Sequence, residues 1–385
     1  MEKEKVKLRK GLIITFVVAL ICTIPVGIGT LRMGWSIQRV CGFDISIPLV
    51  ILSVFSILFI AFSMMKQYPN VLFRVLTWIT GLHACVLAYF IPSMTSASIV
   101  LAICGQSWRG VAKPIVIFII TIGSVITVIY GLIHARRLYV KYYKVYAKCY
   151  HDKTGRSDGE TYRIVQLSDL HIGSVIGPSY ISRVVKKVNS LKPDMVVVTG
   201  DVFNHGGVDE CRDIQRVISA FQEMKAPDGV YAVLGNHDPD LTDPGMADFV
   251  KGTGMRFIDN GVCDTKKIFL VGRTGLLTDR TLRLPINEVM SGEETDKPMV
   301  VLDHDPRGAD DARDIGADLI LSGHTHRGQF FPVILLSKDA NGKNYFYGRI
   351  EFGKTTSIIS SGTGSFQLPI RVGTNSEIVC VDLNL

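Results

Sequence analysis

The amino-terminal third of the chain carries its apolar residues in long stretches. Four of these stretches approach the roughly 20 residues that a helix needs to cross a bilayer, and they occupy residues 12–31, 47–65, 71–91 and 114–134. A fifth apolar run, at 96–104, is too short to span and is followed by Gln106 and Arg109, so we expect it in an interfacial or re-entrant position. The pattern predicts about four transmembrane helices.

Beyond residue 160, short apolar runs alternate with helical patterns. Strand-like runs at 161–167, 194–198 and 229–234 alternate with helical patterns at 180–191, 210–224 and 244–252. Such alternation predicts parallel strand pairing and an α/β fold. After residue 255 the strand-like runs lie at 268–272, 299–303, 318–321, 345–351, 356–360 and 377–383. Two sheets packed face to face between layers of helices, a four-layer α-β-β-α sandwich, would accommodate these strands.

Two segments connect the halves. The polar, turn-rich sequence HDKTGRSDGE at 151–160 is predicted to be a linker, which divides the chain into a membrane domain at 1–150 and a second domain at 161–385. Before it, residues 135–148 mix Lys and Arg with Tyr at near-helical spacing. We interpret that basic segment as a helix leaving the membrane along an anionic surface, with aromatic rings at headgroup level. A plain connector is the alternative.

Charge is divided unequally between the two halves. Residues 1–150 hold 16 Lys and Arg against 3 Asp and Glu, a net charge of +13, whereas the remainder holds 26 against 32, a net charge of −6. A nucleic-acid-binding domain would carry positive charge on its working half, so we predict no nucleic-acid partner.

Basic residues also predict the orientation in the membrane. They cluster before the first apolar stretch and after the last one: Lys3, Lys5, Lys7, Arg9 and Lys10, then Arg136, Arg137, Lys141, Lys144 and Lys148. Because such residues favour the cytoplasmic side, we predict a multi-pass protein of the cell (inner) membrane with a cytoplasmic second domain. The eight cysteines form no CxxC pair, which fits free thiols in a reducing compartment.

Polar side chains follow four of the predicted strands, at the point where each strand ends. They are Asp169 and His171 in SDLH, Asp201 in TGD, Asn236, His237 and Asp238 in GNHD, and His324 and His326 in GHTH. Open α/β sheets bind ligands at the carboxyl ends of their strands. Carboxylate, amide and imidazole groups gathered at that edge predict a pair of metal ions.

These motifs, together with the separate His304 in LDHDP, resemble the calcineurin-like metallophosphoesterase superfamily and its membrane-linked subgroup. The resemblance covers about residues 162–385. It implies that one metal ion is bound by Asp169, His171 and His326, and a second by Asn236, His304 and His324. Asp201 would bridge the two ions.

The resemblance also implies the chemistry of the site. Two ions roughly 3.5–4 Å apart hold a water or hydroxide between them and lower its pKa enough for attack on phosphorus. The mixed nitrogen and oxygen ligands favour Mn²⁺, with Fe or Zn²⁺ as alternatives, over Mg²⁺. His237 lies outside both ligand sets and is the candidate general acid. Asp238 either orients His237 or supports the surrounding structure.

Two arginines are candidate substrate-binding residues. Arg327 follows GHTH where membrane-linked members often have glycine, and it is expected either to touch substrate phosphate or to point into solvent. Arg371 ends the glycine-rich stretch SSGTGSFQLPIRVG, which resembles a similar segment of the same subgroup. The glycines are expected to bring backbone amides near the site and Arg371 to contact substrate, with a structural turn as the alternative.

Fold and metal site specify phosphoester hydrolysis rather than a substrate. Because the spans would hold the site against one leaflet, we expect hydrolysis of a phosphodiester or pyrophosphate bond in a membrane lipid or lipid-linked nucleotide. Some similar proteins are linked to cleavage of UDP-2,3-diacylglucosamine in lipid A synthesis. A phosphatase for soluble phosphoesters or phosphoproteins, merely tethered to the membrane, is the alternative. A scaffold with a decayed site is disfavoured because all the ligand positions are filled.

Overall fold

The computed structural model describes residues 26–63, 68, 70–103, 112–155, 159–204, 207–211, 213–275 and 283–385. The chain divides into two compact units, Met1–Gly131 and Leu132–Leu385.

Helices α1 to α4 account for the apolar part of the chain. They comprise residues 26–41, Ser46–Ser63, Val71–Ile103 and Ala112–Ala135. Among the described residues, three stretches are long and apolar enough to cross a membrane: Ser46–Ser63, Val71–Ile103 and Lys113–Ala135. The structure therefore supports three of the four predicted spans, and most of the first, at 12–31, lies outside the described residues.

The apolar run predicted at 96–104 is not a separate element, and its interfacial or re-entrant position stays a prediction. Helix α3 continues through it to Ile103 as one helix of 33 residues, with Pro92 inside. The hydroxyl groups of Thr95 and Ser98 donate to the carbonyls of Ile91 and Met94, one turn earlier. These polar residues therefore bond within the helix instead of ending it, and no charged residue interrupts the run.

The second unit contains twelve strands and seven helices among its described residues. The strands are β1 (Leu138–Tyr146), β2 (Thr161–Leu167), β3 (Met195–Thr199), β4 (Val230–Val233), β5 (Arg256–Phe257), β6 (Gly261–Asp264), β7 (Phe269–Arg273), β8 (Met299–Asp303), β9 (Leu319–Ser322), β10 (Gly348–Phe352), β11 (Thr355–Ile359) and β12 (Ser376–Asn384). The helices are α5 (Lys148–Thr154), α6 (Pro178–Ser190), α7 (Ile214–Gln222), α8 (Pro244–Thr253), α9 (Ile286–Val289), α10 (Ala309–Asp314) and α11 (Val333–Asn341).

These strands form two mixed six-stranded sheets, as an α/β sandwich requires. The first sheet has the order β1-β12-β2-β3-β4-β5, and the second has the order β10-β11-β9-β8-β7-β6. Three pairs are antiparallel, namely β2 with β12, β6 with β7 and β10 with β11, and the others are parallel.

Three hydrophobic cores separate four layers. One core lies between the first sheet and helices α6, α7 and α8, a second between the two sheets, and a third between the second sheet and helices α9 and α10. The positions of the β3 side chains explain why the sequence of this strand is continuously apolar. Its residues Val196 and Val198 face the helices, whereas Met195 and Val197 face the second sheet. Both faces of the strand are buried, as in parallel sheets generally.

The segment at 135–148 is neither the predicted surface helix nor a plain connector. Most of it is strand β1, which pairs in parallel with β12 from Leu138–Ser376 to Tyr146–Asn384. Val145 is fully buried, whereas Tyr142 and Tyr146 are exposed. Aromatic and β-branched residues favour a half-buried strand, and this preference prevails over the near-helical spacing of the charges.

The predicted linker at 151–160 begins inside helix α5. Asp318, buried at the start of β9, accepts hydrogen bonds from the backbone N–H groups of Cys149 and Tyr150 at the start of that helix. The second unit therefore begins near residue 132, earlier than the predicted boundary at 150.

A fragment at 151–385 is expected to melt at least about 5 °C below a fragment at 136–385. The shorter fragment loses β1, which leaves the edge of β12 unpaired and removes Val145 and Tyr150 from the core between the sheets. Burial of one such side chain contributes about 1.5–3 kcal/mol. Thermal unfolding followed by circular dichroism measures the difference, and equal melting temperatures would show that β1 is dispensable.

Candidate metal centre

The polar residues singled out in the sequence all follow strand ends that meet at one edge of the sandwich. Asp169 and His171 follow β2, Asp201 follows β3 and Asn236 follows β4, in the first sheet. His304 follows β8, and His324 and His326 follow β9, in the second sheet. Neighbouring parallel strands from both sheets therefore deliver these side chains to a common site.

Four of the predicted ligands are in mutual contact on one side of the site. The Nε2 atoms of His171 and His326 lie 2.9 Å apart, so at least one of these nitrogens carries no proton and can accept. His326 Nε2 lies 3.4 Å from Asp169 Oδ1, and His171 Nε2 lies 3.6 Å from Asp201 Oδ2. Asp169, His171 and His326 each offer one ligand atom within 4.8 Å of the others.

The same Asp201 oxygen faces the remaining ligands. Asp201 Oδ2 lies 3.2 Å from His304 Nε2. Asn236 Oδ1 lies 3.2 Å from His304 Nε2 and 2.9 Å from His324 Nδ1. The structure thus brings all seven predicted ligands together, with Asp201 between the two sets. A second group of three ligand atoms within 4.8 Å consists of Asp169, Asp201 and His304.

The backbone of this site is strained. Five of the seven residues have φ between 48° and 71°: Asp169, His171, Asp201, His324 and His326. Residues other than glycine rarely adopt this left-handed region, because each one costs about 1–3 kcal/mol. The residues that do adopt it concentrate at functional sites. The strain is retained where it aims a side chain at its neighbours.

Two motif glycines permit the close approach of the loops. A Cβ atom at Gly235 would overlap Asp201 Oδ1, and one at Gly323 would overlap Asp169 Oδ2. The glycines of GNHD and GHTH are therefore required by the space that the two carboxylates occupy.

Burial keeps most of the imidazoles neutral. It lowers the pKa of His171 to about 3 and that of His324 to about 4, and it lowers the pKa of His326 as well. Burial also raises the pKa of Asp169 to about 6. Neutral imidazoles have a lone pair for a cation, which is the form that metal binding requires.

His304 is held differently. Burial opposes its charge, but the adjacent Asp201 carboxylate raises the pKa of His304 to about 10. Its Nδ1–H group donates to the carbonyl of Thr199 at 2.8 Å, so Nε2 is turned toward Asp201 and Asn236. A proton therefore occupies the position at which a cation would meet the same carboxylate. Buried carboxylates surrounded by imidazole and amide groups form a mixed nitrogen and oxygen donor set that fits divalent metal ions.

Comparison with known proteins agrees with this geometry. Residues 162–328 match the family model described as calcineurin-like phosphoesterase. A relative from Danio rerio named "Transmembrane protein with metallophosphoesterase domain" is 33% identical over 242 residues, which cover 57% of this chain and 53% of the relative. An uncharacterized metallophosphoesterase of Campylobacter jejuni is 33% identical over 227 residues, covering 57% of this chain and 59% of the relative.

The chain thus spans about half the length of the curated relatives it matches. The matched residues are thus similar to metallophosphoesterases, and three helices among the described residues are long and apolar enough to cross a membrane. Among solved structures, a 5'-nucleotidase precursor from Thermus thermophilus aligns with 53% of this chain and 49% of its own, at 15% identity and a TM-score of 0.35.

His237 and Asp238 lie beside the predicted metal ligands. The His237 ring centroid is 5.2 Å from that of His171, and its backbone N–H donates to Asp201 Oδ1 at 2.9 Å. Asp238 is buried, which raises its pKa to about 7, and it accepts hydrogen bonds from the backbone N–H groups of Phe203 and Gly235. These contacts join the loops after β3 and β4, as the supporting role for Asp238 requires. Its orientation of His237 stays a prediction.

The two predicted substrate arginines have different surroundings. The guanidinium carbon of Arg327 lies 4.4 Å from the ring centroid of Tyr347, so the side chain stacks on that ring. Arg371 is fully buried and donates to the carbonyls of His326, Gly362 and Gly364. Its burial lowers its pKa to about 10. Arg371 therefore holds the His326 loop against the glycine-rich segment, as the structural alternative requires, and its contact with substrate stays a prediction.

The glycine-rich segment also differs from expectation in detail. The backbone N–H groups of Thr363 and Gly364 donate to the carbonyls of Ser168 and Asp169, so they support the loop after β2. Phe366 was missed in the sequence. Its ring centroid lies 5.4 Å from that of His171 and 5.2 Å from that of His237, and its position in the glycine-rich segment was the available signal.

Substitution of Arg371 by methionine is expected to destabilise the protein by about 1–3 kcal/mol, because three carbonyl oxygens lose their partner. Displacement of His326 should also weaken Mn²⁺ binding about tenfold. Arg327→Met is the matched control, since that side chain only stacks on an aromatic ring, and it should leave metal affinity unchanged. Thermal unfolding and metal titration measure both variants. Normal metal affinity with impaired catalysis in Arg371→Met would favour direct substrate contact.

Proposed function

We propose that the protein is a membrane-anchored, two-metal phosphoesterase. It hydrolyses a phosphodiester or pyrophosphate bond in a lipid or lipid-linked nucleotide, such as UDP-2,3-diacylglucosamine. The observation that carries the hydrolytic part is the convergence of imidazole, amide and carboxylate groups from both sheets around Asp201. The match of residues 162–328 to the calcineurin-like phosphoesterase family supports the same chemistry.

One ion would be held by Asp169, His171 and His326, and the other by Asn236, His304 and His324, with Asp201 as a shared ligand. We expect Mn²⁺, with Fe or Zn²⁺ as alternatives. When bound, two divalent ions activate water for attack and offset the negative charge that develops on the phosphoryl oxygens.

The chain's own residues prepare the site for this chemistry. The Thr199 carbonyl accepts the Nδ1 proton of His304, so the opposite nitrogen would act as a ligand once a cation displaces its proton. The His237 backbone N–H fixes Asp201. The His237 side chain is the proposed general acid, and it would donate a proton to the oxygen of the leaving group. Phe366 packs beside His237 and His171 and would shield one side of the proton donor from water.

The topology supports a lipid substrate. Strand β1 runs parallel to β12, and β12 runs antiparallel to β2. The start of β1 therefore lies at the edge of the first sheet where β2 ends and where Asp169 follows. Since β1 begins just after helix α4, the apolar helix ends at the edge that carries the candidate metal centre. A substrate confined to the bilayer would meet such a site at high effective concentration.

We also propose that the domain faces the cytoplasm of a multi-pass protein of the cell (inner) membrane. Support comes from Arg136 and Arg137, which are exposed directly after helix α4 and favour the cytoplasmic side. The partners are then membrane lipids and a phosphoester substrate, without nucleic acid.

Full-length protein in lipid nanodiscs with Mn²⁺ is expected to hydrolyse bis-p-nitrophenyl phosphate and a lipid-linked diphosphate. Asp201→Asn should lower both rates more than about 100-fold, because a neutral amide cannot offset the charge of two cations. Product formation is measured by absorbance and mass spectrometry, and metal content by elemental analysis.

The matched control is Asp152→Asn, which replaces an exposed aspartate paired with Lys354 and should change neither rate. Normal metal content and turnover in Asp201→Asn would contradict the catalytic assignment. Cleavage of soluble esters with intact lipid diphosphates and phospholipids would favour the tethered phosphatase of soluble substrates.

His237→Asn should lower kcat by about 10²–10⁴-fold for an alkyl phosphodiester, whose leaving oxygen needs a proton. The loss should be much smaller for a p-nitrophenyl ester, because p-nitrophenolate leaves without protonation. Steady-state kinetics on the two esters measures the difference, and His151→Asn, a histidine in helix α5, is the control. Equal losses on both esters would show that His237 acts otherwise than as a general acid.

A further inference from the structure

Helix α11 and the residues before it expose a concentrated apolar surface. Phe331 is 51% exposed, Leu335 59% and Leu336 72%, and Val333 is also exposed. We call these four side chains the apolar patch. Elsewhere in the described part of 132–385, the exposed large apolar side chains are Ile133, Tyr142 and Tyr146. Contiguous exposed apolar groups on this scale mark an interaction surface.

The apolar patch is attached to the loop that carries two predicted metal ligands. Helix α11 begins seven residues after His326. The hydroxyl of Ser337, in the middle of α11, donates to the carbonyl of Thr325 at 3.4 Å. A Cβ atom at Gly328 would overlap the backbone of Ile334, so the loop and the helix are in close contact. Helix α11, which carries most of the patch, is therefore packed against the loop that bears His324 and His326.

The patch also lies near the end of apolar helix α4. The Phe331 N–H donates to the carbonyl of Val372, and Ile334 packs close to Gly373. Two residues further along, the Asn375 side chain is 2.8 Å from His134 Nε2, in the last turn of α4. The Ser376 hydroxyl donates to the carbonyl of Ala135. The segment 372–376 thus contacts the Phe331 backbone and Ile334, which lie among the patch residues, and also the last turn of helix α4.

Basic side chains accompany the end of this span. Arg136 and Arg137 are exposed, and the Arg183 guanidinium donates to the carbonyl of Arg136 at 3.2 Å. Lys338 is exposed on helix α11 itself. Apolar side chains flanked by Lys and Arg are typical of segments that lie in the interface of an anionic bilayer.

We propose that the apolar patch inserts into the bilayer interface and turns the metal centre toward a lipid surface. A lipid surface is favoured over a protein partner because the patch, the arginines and the end of the span occur together at the sheet edge of the metal centre. The docking itself is independent of catalysis. Its consequence, a substrate taken directly from the leaflet, rests on the proposed phosphoesterase function.

Photocrosslinking of the full-length protein tests the docking. Benzoylphenylalanine replaces Leu336 in protein reconstituted into nanodiscs of phosphatidylethanolamine and phosphatidylglycerol, and adducts are identified by mass spectrometry. A phospholipid adduct is expected at position 336. The control position is Lys225, an exposed residue that precedes β4 at the opposite edge of the first sheet, where lipid adducts should be absent. No lipid adduct at 336, equal adducts at both positions or adducts only with a second copy of the chain would overturn the proposal.

A double variant, Leu335→Glu with Leu336→Glu, tests the consequence for substrate choice. Both side chains are largely exposed, so the fold tolerates the change. The ratio of lipid-diphosphate to bis-p-nitrophenyl phosphate hydrolysis should fall about tenfold, because acidic groups repel an anionic interface. Tyr146→Glu, an exposed aromatic residue at the far end of β1, is the matched control and should leave the ratio unchanged. An unchanged ratio in the double variant would contradict substrate capture from the leaflet.

The two proposals fail in different ways. Lipid adducts at position 336 without hydrolysis of any phosphoester would leave docking intact and overturn the proposed function. Hydrolysis that depends on Asp201 without lipid adducts would overturn the docking and leave the phosphoesterase intact.

Discussion

Two carboxylates that water does not reach dominate the energetics of this site. Asp169 is 0% exposed and Asp201 is 1% exposed, and they share a space with three imidazoles that burial keeps neutral. A buried carboxylate costs several kcal/mol unless charge or hydrogen-bond donors compensate it. Backbone N–H groups, the Ser168 hydroxyl and protonated His304 provide part of that compensation. Divalent cations would provide the rest, so the groups whose burial is costly are also suited to bind metal ions.

Several parts of the fold hold the predicted metal ligands in place despite the cost of burying their carboxylates. Both sheets contribute strand ends, and left-handed backbone aims five of the seven side chains. Arg371 joins the His326 loop to the glycine-rich segment through carbonyl oxygens, and Asp238 joins the loops after β3 and β4 through backbone N–H groups. Arg371 and Asp238 are both buried, ionisable side chains that form hydrogen bonds with backbone groups. The residues around the centre are therefore specified by backbone geometry as much as by chemistry.

The difference between features set by local sequence and features set by backbone geometry explains what could be predicted from the sequence. The run before Asp201 is continuously apolar because both faces of β3 are buried, and the strand β8 lies where its sequence pattern predicts. Strand β1 was missed because its tyrosines and lysines fit a helical repeat as well as an alternating one. The burial of Arg371 depends on carbonyls from three separate positions, which no local pattern reveals. Helix α3 continues past residue 96 because its hydroxyls bond within the helix.

The path of the chain between α4 and β2 bears on the substrate. A flexible linker would let a domain sample many orientations, and the spans would then serve as a simple tether. Here α4 ends at Ala135 and β1 begins at Leu138, with Ala135 buried and its carbonyl bonded to Ser376. The end of α4 and the start of β1 are thus held by the second unit itself, at the edge of the first sheet where Asp169 lies. This attachment supports the proposed lipid substrate, because a phosphate group at the depth of a bilayer headgroup would meet that edge.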